Sequence, residues 1–137
     1  MRKLFIAGIG SSLVLLAFTG RQQQVDPASV SRGELVYKKH CLTCHQIDGG
    51  GVPHLNPPLA ESSYVTGDKA KIIRIVLKGM IDRVEIDGEY YANNMSPHND
   101  LSNQQIADVL TFIRNSFGNK APAVSMEEVK AVRAKTK

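Results

Sequence analysis

The sequence predicts an all-α domain with one small β-hairpin, and three observations carry that prediction. Three segments open with the same helix-start signature: Ser31 to Glu34, Ser102 to Gln105 and Ser125 to Glu128 are each capping boxes. A fourth segment places Ile72, Val76 and Met80 at i, i+4 and i+8, the spacing of an inward helical stripe. The hairpin is suggested by Asp87-Gly88 between short apolar runs, although residues Val84 to Tyr91 alternate poorly.

At 137 residues the chain has room for one domain behind a leader. Residues 1–20 read as a signal peptide or N-terminal anchor. Arg2 and Lys3 give a positive start, and Leu4 to Phe18 is an apolar run without charge. That run is short for a membrane span, which needs about 20 residues. Its cleavage pattern is weak, so removal of the leader and retention as an anchor both stay open. Residues 21–30 then form a linker, 31–118 the main domain and 119–137 a tail helix. Helices are expected to begin near residues 32, 103 and 126. Each start has an apolar pair placed as a staple: Val30 with Leu35, Leu101 with Ile106, Val124 with Val129. The fourth helix runs from Asp68 to Lys78, with Gly79 as its stop and Met80 on its packing stripe.

The stretch from Gln46 to Gly67 has Gly and Pro throughout and no period of either kind. So long a loop argues against a compact domain unless it wraps something. A large apolar cofactor would supply the missing core.

Charge excludes one class of function. The net +4 comes from the two ends of the chain, while residues 21–117 hold ten basic against eleven acidic side chains. A near-neutral body with a mildly basic tail is not the footprint of a nucleic-acid binder.

Both cysteines fall in Cys41-Leu42-Thr43-Cys44-His45, which is the attachment pattern for c-type haem. Two thiols three positions apart can each add to one vinyl group of the porphyrin. The adjoining His45 then serves as an axial iron ligand. A dithiol redox pair would want a βαβ frame, and the motif instead closes a helix. A structural zinc site would need four ligands, which only the histidines could complete.

With these residues in view, the chain resembles a class I c-type cytochrome with one haem. Gly33 and Tyr37 match the small and aromatic residues of that family's first helix, and Val109 and Phe112 match their partners in the last, Asn103 to Ser116. Pro57-Pro58-Leu59 matches the family's Pro-x-Leu loop. The resemblance implies that the Pro57 carbonyl accepts a hydrogen bond from His45, steadying the imidazole. It also implies a Met as sixth ligand. Met95 sits in the polar turn Asn93-Asn94-Met95-Ser96-Pro97, where a thioether needs a reason, and Met followed closely by Pro matches relatives. His98, His54 and a vacant position remain as rivals. His40 reads as a helix-end surface residue. Tyr64, Tyr90 and Tyr91 could line the haem crevice or pack in loops.

The resemblance extends to the branch. Val84 to Gly88, Tyr90, Met95, Ile113 to Asn119 and Val129 to Arg133 form a series similar to cytochrome domains accompanying quinoprotein alcohol dehydrogenases and to those fused to copper nitrite reductases. The cytochrome c fold with an extra C-terminal helix is therefore expected, carrying covalent haem c and its iron. The implied role is a single-electron carrier, not an enzyme, working in the periplasm or on the outer face of the cytoplasmic membrane. Its partners would be redox proteins: a dehydrogenase, a nitrite reductase or an oxidase. Membrane association through the leader and permanent membership of such a complex are the alternatives.

Overall fold

Helix α1 spans Pro27–His40. It begins ahead of the expected start because Asp26, not Ser31, caps it. The Asp26 carboxylate accepts from the N–H groups of Ala28 (3.1 Å) and Ser29 (3.2 Å), and Pro27 fills the first helical position. Ser31 lies inside the helix and donates to the Pro27 carbonyl at 3.1 Å. Leu35, the expected staple partner of Val30, is 69% exposed. Two start signals compete here, and Asp-Pro wins because proline pre-sets the backbone angle of the first turn. Residues 27–30 are therefore helical, not linker.

The computed structural model describes residues 25–83 and 85–136. The expected leader and residues 21–24 of the linker lie outside them. After α1 come α2 (Leu42–His45), α3 (Ser63–Thr66), α4 (Lys69–Lys78), α5 (Asn103–Ile113) and α6 (Met126–Lys135). The starts of α4, α5 and α6 stand where the sequence placed them. Asp68 accepts from Lys71 N–H at 2.7 Å, and Gly79 ends α4 with φ +73°. Ser102 with Gln105, and Ser125 with Glu128, each close a reciprocal capping box. Leu101, Ile106, Val124 and Val129 are all buried.

The hairpin is not formed. Among the described residues there is no β-strand, only isolated bridges, one of them Ile86 to Glu89. Asp87 (φ +51°) and Gly88 (φ +91°) do make the tight turn. The pairing stops there because the turn is held by another element. The Asp87 carboxylate accepts from Ser62 Oγ (3.0 Å) and Ser63 N–H (3.1 Å), tying it to the start of α3. Val84 lies outside the described residues.

The frame is the crossing of α1 over α5. A Cβ on Gly33 would collide with the Asp108 carbonyl oxygen and stand 2.7 Å from Phe112 Cβ, so only glycine permits this approach. Of the two expected partners, Phe112 stands directly against Gly33, and Val109 lines the central cavity. Beside the crossing, the rings of Tyr37, Phe112 and Phe117 pack mutually with centroids 5.3–5.5 Å apart. Asp108, 2% exposed, ties α5 to α1 through Ser29 Oγ (2.6 Å) and Arg32 Nε (2.8 Å), and Gln104 Nε2 of its own helix donates to it at 3.0 Å. Helix α6 packs on α4 and α5. Buried Val129 anchors it, and the Lys69–Glu128 ion pair (2.9 Å) ties its start to α4. Arg133 donates to the carbonyls of Asn99 (2.9 Å) and Leu101 (2.6 Å), ahead of α5.

Gly33→Ala should lower unfolding stability by about 1–3 kcal/mol through overpacking against backbone, read by denaturant midpoint. Burial pushes the Asp108 carboxyl up, but the hydrogen bonds from Arg32, Ser29 and Gln104 outweigh it and hold the group below its ordinary value. Such a group stabilises the fold above the unfolded value near about 4 and loses that contribution as pH falls further. Asp108→Asn should therefore cost about 1.5–3 kcal/mol at pH 7, and the gap from wild type should shrink below pH 4. An equal gap at pH 7 and pH 3 would refute this account.

Candidate functional site

A cavity of about 290 Å³ opens where α1 ends. Cys41 closes α1, its N–H donating to the Tyr37 carbonyl at 2.9 Å, and the single turn α2 follows at once. His45 N–H reaches the Cys41 carbonyl at 2.9 Å, and Gln46 ends the turn with φ +64°. This one extra turn brings Cys41, Cys44 and His45 together in the cavity lining. Cys41 is half-buried, Cys44 exposed and His45 only 8% exposed.

The Gly/Pro loop then returns to hold His45. The His45 Nδ1–H donates to the Pro57 carbonyl at 3.1 Å; a carbonyl only accepts, which sets the tautomer. Gly51 makes room for that carbonyl. It has φ +67°, donates to the His45 carbonyl at 3.1 Å, and a Cβ there would stand 2.7 Å from Pro57 O. Leu59 N–H donates to Gly49 O at 2.7 Å. The segment is thus a strap tied to the motif. Burial pushes the His45 pKa down, the Pro57 bond opposes it, and nearby His98 adds to the lowering. This lowering favours the neutral imidazole, the form a metal ligand needs.

The remaining walls are mainly apolar: Ile72 and Val76 from α4, and Val109, Leu110 and Ile113 from α5. Two thioethers join them. Met95 lines the cavity as expected of a candidate ligand. Met80 lines it too and does not lie on α4, because Gly79 ends the helix and turns the chain toward Met95. Sequence periodicity missed this, since the i+8 position falls one residue past the stop. Among the rival ligands, His98 lines the cavity and His54 does not. His40 is half-buried against the cavity, its ring centroid 6.1 Å from that of His98, so it is no mere surface residue. Tyr64 and Tyr91 line the cavity; Tyr90 does not and is 56% exposed. An Asn93–Asn56 side-chain bond (3.1 Å), which no sequence motif signals, joins two further lining residues. No Lys or Arg lines the cavity among the described residues.

This donor set separates the candidate chemistries. Burial, then the neighbouring Cys44, push the Cys41 thiol up to about 11, the reverse of the depressed thiol that a dithiol redox pair needs. Among the described residues no cluster of three or more His, Cys, Asp or Glu side chains could hold a metal ion, which removes the zinc reading. Two thiols, a neutral imidazole with one nitrogen committed and an apolar cavity with soft sulfur donors fit a covalently attached haem.

Comparison with known proteins agrees with this chemistry. Residues 30–117 match the family described as cytochrome c. Over 99 residues the chain is 38% identical to the cytochrome c subunit of a quinone alcohol dehydrogenase from Gluconacetobacter polyoxogenes, covering 66% of this chain and 19% of that protein. It is 33% identical over 112 residues to cytochrome c-552 of Thermus thermophilus, covering 75% of this chain and 85% of the relative. The fructose dehydrogenase cytochrome subunit of Gluconobacter japonicus is 29% identical over 133 residues, covering 93% of this chain and 27% of the relative. The chain thus spans about a fifth of the length of the alcohol dehydrogenase subunits it matches.

Gly51→Ala should push the Pro57 carbonyl away from His45. Stability should fall by about 1–3 kcal/mol, and the His45 Nδ1–H proton should exchange faster with solvent. A protected proton at wild-type stability would refute the role given to Gly51.

Proposed function

Since the chain belongs to the cytochrome c family and carries covalently bound haem c for electron transfer, we propose that Cys41 and Cys44 hold the porphyrin through thioether bonds, with His45 and Met95 as axial ligands. The observation that carries this reading is the imidazole of His45, anchored by Pro57 at 3.1 Å in a cavity lined also by both thiols and by Met95. When bound, haem supplies a one-electron couple at its iron.

The chain's residues set how that couple behaves. The Pro57 carbonyl orients the imidazole and raises its basicity. Met95 offers a soft, neutral donor that favours the ferrous state and raises the potential. Ile72, Val76, Leu110 and Ile113 keep water from the centre. With His45 and Met95 both holding the iron, no open position would be left for substrate, so the chain would carry electrons rather than catalyse a reaction of its own.

The apolar segment behind Arg2 and Lys3 supports a place in the periplasm or on the outer face of the cytoplasmic membrane. Among the described residues no helix is long and apolar enough to cross a membrane. We take a dehydrogenase as the redox partner, ahead of a nitrite reductase or oxidase. The relatives from Gluconacetobacter, Gluconobacter and Pantoea named as dehydrogenase cytochrome subunits support that choice. The same relatives favour the second reading, a cytochrome subunit held permanently in such a complex. Co-purification with a dehydrogenase through size exclusion would decide for the complex; a lone cytochrome would decide for the free carrier.

The ligand assignment is tested on matured protein labelled with ¹³C-methyl methionine. In the reduced state one methyl resonance should lie far outside the ordinary range, shifted by the porphyrin ring current. Met95→Leu should remove that resonance, and its persistence unchanged would refute Met95 as ligand. Pigment that washes out in acidified organic solvent would refute the thioether bonds.

A further inference from the structure

We propose that Met80 is a second iron-competent thioether, held beside Met95 so that it can take the axial position when Met95 leaves it. The proposal rests on the Met95 assignment above and goes beyond it.

The geometry begins at Gly79. Its φ of +73° ends α4, and a Cβ there would collide with the Met95 carbonyl oxygen and stand 2.9 Å from Pro97 N. Only glycine lets the chain leave the helix so close to the 95–97 segment. Met80 then pairs with Met95 in both directions: Met80 N–H donates to Met95 O at 2.9 Å, and Met95 N–H donates to Met80 O at 2.9 Å. Reciprocal bonding of this kind defines a hydrogen-bonded antiparallel pair, with Cα atoms about 5.5 Å apart and both side chains on one face. That face is the cavity, which both methionines line while half-buried. The segment is fastened beyond the pair as well, His98 N–H donating to Val76 O at 2.8 Å.

Exchange between the two sulfurs would then be a movement of side chains, with the paired backbone left in place. Methionine is unbranched, with three rotatable bonds and a polarizable sulfur, so rotation about side-chain bonds moves the donor. One iron–sulfur bond breaks and another forms; no proton or electron changes hands. Either methionine would supply a thioether ligand, and with it the high potential that such ligation confers. Packing alone would ask only for an apolar side chain of similar volume at position 80, and leucine would serve. The two accounts thus part on chemistry, not on stability.

The test compares haem-loaded wild type, Met80→Leu, Met95→Leu and the double variant, each labelled with ¹³C-methyl methionine. Met80→Leu should keep the native shifted methyl. Met95→Leu should show a new shifted methyl at a different position and keep a weak near-infrared thioether band. The double variant should lose both signals and bind added imidazole at least tenfold more tightly than Met95→Leu. A Met95→Leu protein with no shifted methyl, or with the imidazole affinity of the double variant, overturns the proposal; so does capture by His98, which gives two-imidazole ligation. A native methyl unchanged in Met95→Leu is a different failure, that of the Met95 assignment. If Met95→Leu does not mature, Met95→Ala takes its place. Failure of both to hold haem, while Met80→Leu does, also overturns the proposal.

Discussion

Everything in this molecule depends on how closely α1 approaches α5. The contact is made at Gly33, where any side chain would strike the Asp108 backbone. Close approach sets the far end of α1, and so Cys41, Cys44 and His45, against the apolar residues Val109, Leu110 and Ile113 of α5. The cavity lies beyond this contact, closed by α4, the Gly/Pro strap and the segments of Met80 and Met95. Asp108 reinforces the crossing by gathering Ser29, Arg32 and Gln104 onto one buried carboxylate.

Around this crossing the irregular segments do the work usually given to regular structure. The Gly/Pro strap is bonded to the motif at Gly51 and Pro57 and to itself at Gly49, so a segment without period is still fixed. Arg114, buried and bonded to the carbonyls of Val65, Gly67 and Pro122, joins α3 and the segment before α6 to the end of α5. Hydrogen bonds to backbone carbonyls supply an order that neither helix nor sheet provides, at the expense of glycine at positions where a side chain has no room. With no Lys or Arg among the described residues lining it, the mainly apolar cavity makes a low-dielectric centre. There, ligand identity and burial govern a redox couple more than surface charge does.

Much of this was legible in the residues. The capping boxes at Ser102 and Ser125 placed α5 and α6, because caps are satisfied within three residues and owe little to the rest of the fold. The attachment motif identified its cofactor because the chemistry demands that spacing. The error at α1 arose from two valid local signals five residues apart, with Asp26-Pro27 prevailing over Ser31. The hairpin failed for a different reason. Asp87-Gly88 made the turn it encodes, but the Asp87 carboxylate joined α3, and no ladder grew from the flanking residues.

The sequence by itself therefore determined the haem chemistry, the helical class and where most helices begin, since each depends on residues close together in the chain. Tertiary structure alone decided which side chains share the cavity. It brought His40 and His98 together edge to face, left His54 outside, and took Met80 off its helical stripe to face the same space as Met95. The physical reason is the same in each case. A helix stop or a strap changes a side chain's direction by a backbone angle at one residue, and where that direction leads depends on segments far away in sequence.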